Sequence, residues 1–280
     1  MKDLVTIFFN AYYSEKSLIK IIKQLNNFKI IVIENSLQIG IKKRLEKKFK
    51  NTEVIIPNKN LGIAKACNLV AKKITTKYVF INNPDINITP ASINRLLSFA
   101  KKNKKFGIIA PTYQNEKKFK NYSSYEKKIS KNIGLVKWID FNYLIKKSLL
   151  TKFLFDENFF LYFENIDFCL RLSRANKKLY ILKNVKFNHL GSKSVDIKYN
   201  NIVKSMRAWH YNWSKFYYYK KNFNYIYAIT KILPNFYQSI KNLIINIFNL
   251  DFFRSKLNLI EIYGIISAIL FLKSFYRAKK

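Results

Sequence analysis

The chain has 280 residues, 49% of them hydrophobic by type, with only 6 Gly and 5 Pro. That length and apolar content exclude a disordered or low-complexity chain and allow one large domain, or a domain with an extension, around a sizeable core. Fifty-two Lys and Arg against 16 Asp and Glu give a net charge of +36, a field that attracts phosphates, nucleic acids and anionic membrane surfaces.

Cys67 and Cys169 lack metal-ligand spacing and fall inside helical patterns, so they read as two buried thiols of a reducing compartment. The apolar run at the N-terminus is too short and too soon broken for a signal peptide. No run reaches the roughly 18–20 apolar residues needed to cross a bilayer, and the longest, Ile262–Leu272, is bounded by Glu261 and Lys273. The expectation is a cytoplasmic protein that touches the inner face of a membrane peripherally.

In chain order, Leu4–Phe9 predicts a buried strand and Ser17–Leu25 an amphipathic helix. Strand Ile30–Ile33, helix Lys42–Phe49, strand Glu53–Ile56, helix Ala64–Lys73 and strand Tyr78–Ile81 follow. Alternation at this pitch predicts an α/β fold with a mostly parallel sheet flanked by crossover helices. Ligands of open α/β sheets sit beyond the carboxyl ends of the strands, so the polar residues there are the candidates. The second strand ends in Glu34-Asn35-Ser36, the third runs into Asn60-Leu61-Gly62, and the fourth into Asn82-Asn83-Pro84-Asp85. Each of these is also an ordinary turn sequence.

Gly107–Tyr113 predicts a fifth strand, the Lys-rich section to Lys131 a loop, Trp138–Leu144 another strand and Lys146–Lys152 a short helix. Then comes Phe155-Asp156-Glu157 and the aromatic run Phe159–Phe163, followed by Glu164, Asn165 and Asp167 at a helix start. Asn165 or Asp167 fits as its cap, and Asp167 and Arg171 are four apart on one helix face. Leu179–Leu182 and Val185–Phe187 predict two short extended segments, the second delivering His189.

Beyond Ser194 the character changes. Trp209, Trp213, Phe216, Tyr217 and Lys220 recur at helical spacing, a stripe open to three readings: base stacking, a membrane interface, or core against a neighbouring domain. Pro234 predicts a helix start or break. Leu243–Phe248 and Leu257–Leu272 predict two apolar helices closed by Lys273, Arg277, Lys279 and Lys280, a pattern that suits a hairpin on an anionic leaflet.

The strand-end motifs, in this order and spacing, resemble the nucleotide-sugar half of family 2 glycosyltransferases, which carry D-N-x-S, N-x-G and N-P-D at these places. Residues 155–194 resemble the acceptor half, particularly of the rhamnosyltransferase-like group: F-D-E-x-F-F-x-Y-x-E-D-x-D-L-x-x-R, then a His followed by Gly and Ser. The resemblance implies a GT-A-like domain over residues 1–200 and an aromatic, basic helical extension over 201–280. It also implies an inverting transferase moving a hexosyl or deoxyhexosyl group from a nucleoside-diphosphate sugar to a glycan or lipid-linked glycan. Glu34, Asn35, Ser36, Asn60, Gly62, Asn83 and Asp85 would bind the donor. Asp85, with His189, would hold Mg²⁺ or Mn²⁺, although a strand-end His bonded to backbone is equally ordinary. Glu164, Asn165 and Asp167 would be catalytic.

Two positions depart from the family: Glu34 and Asn165 each stand where it has Asp. An amide cannot take a proton, so Glu164 becomes the expected base, with Asn165 orienting the acceptor. The same substitution leaves open a catalytically inactive sugar-nucleotide-binding scaffold. A nucleic-acid-binding protein is the alternative from charge, but no nucleic-acid motif accompanies the charge.

Overall fold

The structure, a computed structural model, describes residues 3–116, 120–189 and 195–278, with the backbone alone at His189. The chain divides into two compact units. One comprises Met1–Leu61, Lys65–Phe155 and Phe168–Asp196, the other Gly62–Ala64, Asp156–Asp167 and Ile197–Lys280.

In the first unit, β1 (Val5–Ala11), β2 (Lys29–Glu34), β3 (Thr52–Ile55) and β4 (Tyr78–Asn82) pair in parallel in the order β3-β2-β1-β4. Helices α1 (Glu15–Ile22), α2 (Ile39–Lys48) and α3 (Gly62–Lys73) provide the crossovers. Strand β1 is buried along almost its whole length, with Val5, Ile7, Phe9 and Ala11 on one face and Phe8 between Thr6 and Asn10 on the other, as suits a strand covered by helices. Helix α1 turns Leu18, Ile21 and Ile22 inward, and α2 Ile41 and Leu45, the i, i+3, i+4 spacing of one face.

After β4 the chain forms β5 (Ile86–Asn87), α4 (Pro90–Lys102), β6 (Phe106–Tyr113), β7 (Tyr125–Ser130) and β8 (Ile133–Val136). Then follow β9 (Tyr143–Lys146), α5 (Lys147–Phe153), α6 (Glu164–Arg174) and β10 (Lys178–His189). Thr89 caps α4 by accepting from the Ser92 N–H at 3.2 Å, with Pro90 at the first helical position. The sheet order is β3-β2-β1-β4-β9-β6-β10-β8-β7, with β5 on β10. Strand β9 runs antiparallel between β4 and β6, and β10 is parallel to β6. The result is the expected α/β class, a mostly parallel central sheet flanked by helices.

Three elements differ from the sequence expectation. The Lys-rich section is not all loop: β7 and β8 form a hairpin, and β7 escapes the eye because its residues are almost all exposed and polar. The strand placed at Trp138–Leu144 starts only at Tyr143, because Asn142 turns the chain at φ +89°. The two segments after Leu179 are one strand, interrupted in register between Leu182 and Lys186.

The second unit is built on α7 (Asn200–Asn222), α8 (Tyr225–Phe248) and α9 (Phe252–Ile269). Trp209, Trp213 and Phe216 of α7 pack with Ala228 and Ile232 of α8 and Ile265 and Ala268 of α9. These members of the aromatic stripe are therefore core. Gly264 lies where any Cβ would strike the Trp209 backbone, which lets α9 approach α7 closely. Asn224 and Asp251 cap α8 and α9, accepting from the Tyr227 and Arg254 N–H groups at 2.8 and 2.9 Å. Pro234 neither starts nor breaks a helix but sits within α8, whose Ile232 and Ser239 are buried on either side of it. Among the described residues no helix is long and apolar enough to cross a membrane.

Candidate functional site

The strand-end motifs of the first unit are held by side-chain hydrogen bonds. Glu34, the last residue of β2, is fully buried. Its Oε1 accepts from the N–H groups of Ser36 at 2.9 Å and Tyr13 at 3.4 Å, while its buried Oε2 has no partner among the described residues. Burial pushes this carboxyl up from its ordinary value, against the hydrogen bonds from Ser36 and Tyr13. Asn35 works as a brace: its Nδ2 donates to Asn10 Oδ1 at 2.6 Å, and its Oδ1 accepts from Leu61 N–H at 2.8 Å. The brace fixes the 58–61 loop, including half-buried Asn60, against the ends of β1 and β2.

At the end of β4, Asn82 donates through Nδ2 to the carbonyls of Asn83 and Ile86, both at 3.0 Å, which closes the turn around Pro84. The Asn83 N–H donates to Asn142 Oδ1 at 2.9 Å, and Asn142 Nδ2 donates to the Tyr113 hydroxyl at 2.8 Å. Asp85 is buried in this turn. Two residues before Asn142 stands Asp140, which the sequence had not singled out. Asp140 is exposed, and the protein atoms crowded about its carboxyl push that group up. The N–H of Phe141, at 2.8 Å, opposes that rise, and the charge of Asp85 adds to it. Tyr113 is likewise raised, by burial and then by Asp140 and Asp85. Two carboxylates and a phenol thus share one place. β5 pairs antiparallel with β10 so that His189 lies opposite Ile86, the neighbour of Asp85. The His189 side chain, and Gly191 to Ser194 after it, lie outside the described residues, as do Lys279 and Lys280.

No three His, Cys, Asp or Glu gather into a metal cage among the described residues. What Asp85 and Asp140 offer is a small set of hard oxygen donors. Such a set fits Mg²⁺ or Mn²⁺ where the ion takes its remaining ligands from phosphates and water.

In the second unit, the segment from Asp156 to Asp167 is clamped along its length. Asp156 accepts from Lys221 Nζ at 2.8 Å and from the Tyr217 hydroxyl at 3.0 Å. Burial alone would raise the Asp156 carboxyl, but Lys221, the Asn158 N–H and Tyr217 together hold it below its ordinary value. The Phe160 ring lies 4.6 Å from the His210 ring and carries the Arg277 guanidinium at 3.4 Å on its face. His210 is pushed down by burial to about 3, so its imidazole is neutral and bonds the Tyr276 carbonyl at 2.8 Å. The Ser214 hydroxyl donates to the Leu161 carbonyl at 2.8 Å. Gly62 stands at φ +70°, where a Cβ would fall on the Phe160 carbonyl oxygen and ring; Ile63 N–H donates to that same carbonyl at 3.0 Å.

Tyr162 and Phe163 both occupy the left-handed region, at φ +70° and +65°. Two such non-glycine residues in succession are strained backbone, held in place by the surrounding clamps. They launch α6 at Glu164, so Asn165 and Asp167 lie inside its first turn, and neither is the residue that precedes it. Glu164, Asn165 and Asp167 are all buried. Asp167 accepts from Lys221 at 2.8 Å and from Asn222 Nδ2 at 3.1 Å. Arg171 donates to the carbonyls of Phe153 and Leu154.

A family model described as Glycosyl transferase family 2 matches residues 3–167. No curated protein sequence matches the chain. Among solved structures, the mannosyltransferase PcManGT from Pyrobaculum calidifontis, in complex with GDP-Man and Mn²⁺, is 10% identical with a TM-score of 0.58, covering 96% of this chain and 88% of that one. GalNAc-T7 with UDP, GalNAc and Mn²⁺ is 14% identical, TM-score 0.55, over 77% of this chain and 49% of that one. S. aureus TarS is 13% identical, TM-score 0.52, over 79% and 44%. The chain thus spans about half the length of the last two. At these identities the likeness is one of fold.

Proposed function

The chain belongs to glycosyl transferase family 2, and on that premise we propose that it transfers a hexosyl or deoxyhexosyl group, as rhamnosyltransferases do, with inversion at the anomeric carbon. The donor is a nucleoside-diphosphate sugar and the acceptor a hydroxyl of a growing, lipid-linked surface glycan. The observation that carries this reading is Glu34: a fully buried carboxylate at a strand end, with one oxygen bonded to backbone and the other without a partner among the described residues. A buried anionic acceptor left open is costly unless a ligand donates to it, and the base or ribose of a nucleotide carries such donors.

Asp85 and Asp140, with His189 opposite Ile86 in backbone register and so next to Asp85, would hold Mg²⁺ or Mn²⁺. When bound, the ion neutralises charge on the departing diphosphate. Asn83 keeps the Asp85 turn in place through Asn142, and Asn35 and Asn60 shape the neighbouring loop. Glu164 takes the acceptor hydroxyl proton, and Asn165 orients the acceptor by hydrogen bonds. Asp167, fully buried and paired with Lys221, acts by holding the helix start. The enzyme works peripherally at an anionic cytoplasmic membrane face, which the net charge of +36 supports. Asn165 also favours a second reading, a binding scaffold that no longer transfers.

A thermal-shift screen of nucleoside diphosphates and their sugars, with and without Mn²⁺, tests the donor half. A ligand at 100 times its Kd adds about 2.7 kcal/mol to stability. Stabilisation by one nucleoside diphosphate, enhanced by Mn²⁺, together with Mn²⁺-dependent hydrolysis of its sugar, is expected. Absence of any nucleotide shift overturns both readings, and a shift without turnover selects the scaffold.

A further inference from the structure

Helices α8 and α9 each present two apolar faces. One is spent on the core of the helical unit through Ala228, Ile232, Ile265 and Ala268. On the other side of α8, Ile226, Leu233, Tyr237, Ile244 and Phe248 are exposed and recur every seven and four residues, which is a single stripe. Phe252, Leu259, Tyr263 and Ile266 form a like stripe on α9, continued by Leu270 at its C-terminal cap. The two stripes run together at the turn between the helices, where Phe248, Leu250 and Phe252 are 82%, 73% and 79% exposed. Exposed apolar surface of this continuity has a partner.

We propose that the tip of the α8–α9 hairpin inserts into an anionic lipid surface, with the outward stripes of the two helices lying along it. The inference rests on the peripheral-membrane part of the function proposed above and assigns the surface that performs it. Charge selects the partner. Residues 201–280 carry thirteen Lys and Arg against two acids, Asp251 and Glu261. Asp251 is engaged with Arg254 and the α9 cap, and Glu261 accepts from Ser239 and Asn258. Exposed Lys241 and Lys256 sit within the two stripes, placed for lipid phosphates as the apolar side chains enter the acyl boundary. A second copy of the chain would bring its own net charge of +36 and be repelled. No helix among the described residues crosses a bilayer, so the attachment is interfacial.

The test is co-sedimentation of the full chain with phosphatidylcholine vesicles, with and without phosphatidylglycerol, for the wild type and for Phe248→Glu combined with Phe252→Glu. Both side chains are exposed, so the double variant keeps its fold, which circular dichroism and an unchanged nucleotide shift verify. Binding of the wild type to anionic vesicles at least about tenfold tighter than to neutral ones is expected, with at least a tenfold loss in the double variant. Leu250→Trp adds a direct readout: its emission shifts to the blue on binding and is quenched by brominated acyl chains. Undiminished binding of the double variant, or an unquenched Trp, overturns the tip assignment alone and leaves peripheral attachment standing. No binding of the wild type to either vesicle overturns both. A concentration-dependent dimer abolished by the double variant, with vesicle binding intact, assigns the surface to self-association and overturns the inference.

Discussion

Lys221 joins the two ends of the 156–167 segment to α7. Its Nζ is 2.8 Å from Asp156 Oδ2 and 2.8 Å from Asp167 Oδ1, and the Asp167 side chain is 0% exposed. Lys221→Met keeps most of the aliphatic stem and removes the charge. Removing one partner of a buried ion pair costs about 3–5 kcal/mol, because the other is left as an uncompensated buried charge. Asn222 still donates to Asp167, and Tyr217 to Asp156, so part of the loss is recovered. The expected cost is therefore about 2–4 kcal/mol. Urea unfolding followed by tryptophan fluorescence measures it, since Trp209 and Trp213 lie in the core of the same unit.

Two controls identify the cause. Asp167→Asn in the Lys221→Met background removes the stranded charge and is expected to return at least about 1 kcal/mol, a coupling that a double-mutant cycle isolates. The pH dependence has a fixed sign. Asp156 is held below its ordinary value of 3.8, so its contribution is present above that value and lost as pH falls through the lower folded value. The cost of Lys221→Met is expected to stay level from pH 7 to 5 and to shrink below about 4. A cost under about 0.5 kcal/mol at pH 7, or no coupling to Asp167, would refute the reasoning and mark the pair as a contact without energetic weight.

Asp85→Asn leaves the turn around Pro84 intact and is expected to lower donor turnover about a hundredfold and to erase the Mn²⁺ enhancement of the nucleotide shift; wild-type turnover and metal response would remove Asp85 from the site. Glu34→Gln keeps the bonds from Ser36 and Tyr13 but removes a buried charge whose carboxyl is raised above 4.5. The penalty of that charge grows as pH rises through the raised value, so the variant is expected to melt higher than wild type at pH 7, to match it at pH 4, and to bind donor more weakly; a gap independent of pH argues against the charge as its cause. Gly62→Ala forces a Cβ against Phe160 at φ +70° and is expected to cost at least about 2 kcal/mol by thermal unfolding. Glu164→Gln is expected to cut transfer by about 10²–10⁴ at unchanged donor affinity, while Asn165→Asp does little or slows transfer by placing two like charges side by side. A large gain in Asn165→Asp would instead identify a crippled enzyme and remove Glu164 as base.

What the sequence made legible is what local pattern controls. The apolar runs of β1, β2 and β4 and the one-sided helices between them announce a parallel sheet, and a parallel sheet fixes where ligands bind before any contact is known. Glu34 and Asp85 were singled out as candidates that way. Asp140 was not, because Trp138-Ile139-Asp140-Phe141 alternates like a strand. Only the left-handed Asn142, clasped between Asn83 and Tyr113, shows why the chain leaves that pattern and brings Asp140 towards Asp85. Asn35 was assigned to the donor from its neighbours, yet both ends of its amide are engaged in bracing a loop, a role that no spacing encodes.

The segment from Asp156 to Asp167 carries the same lesson further. Its charge pattern suggests Asp167 facing Arg171 on one helix, because i, i+4 neighbours are the contacts a sequence displays. Asp156 and Asp167 also pair with Lys221, more than fifty residues on, one of fifty-two interchangeable-looking cations. In a chain of net charge +36, a Lys is informative only through the carboxylate it meets. The scarce residues, the 16 acids, are therefore the candidates a sequence displays, while the cations that position them have to be read from the fold. Glu164 draws its assignment from both sources: it is an acid in a basic chain, and it follows two strained residues whose geometry the clamped segment enforces.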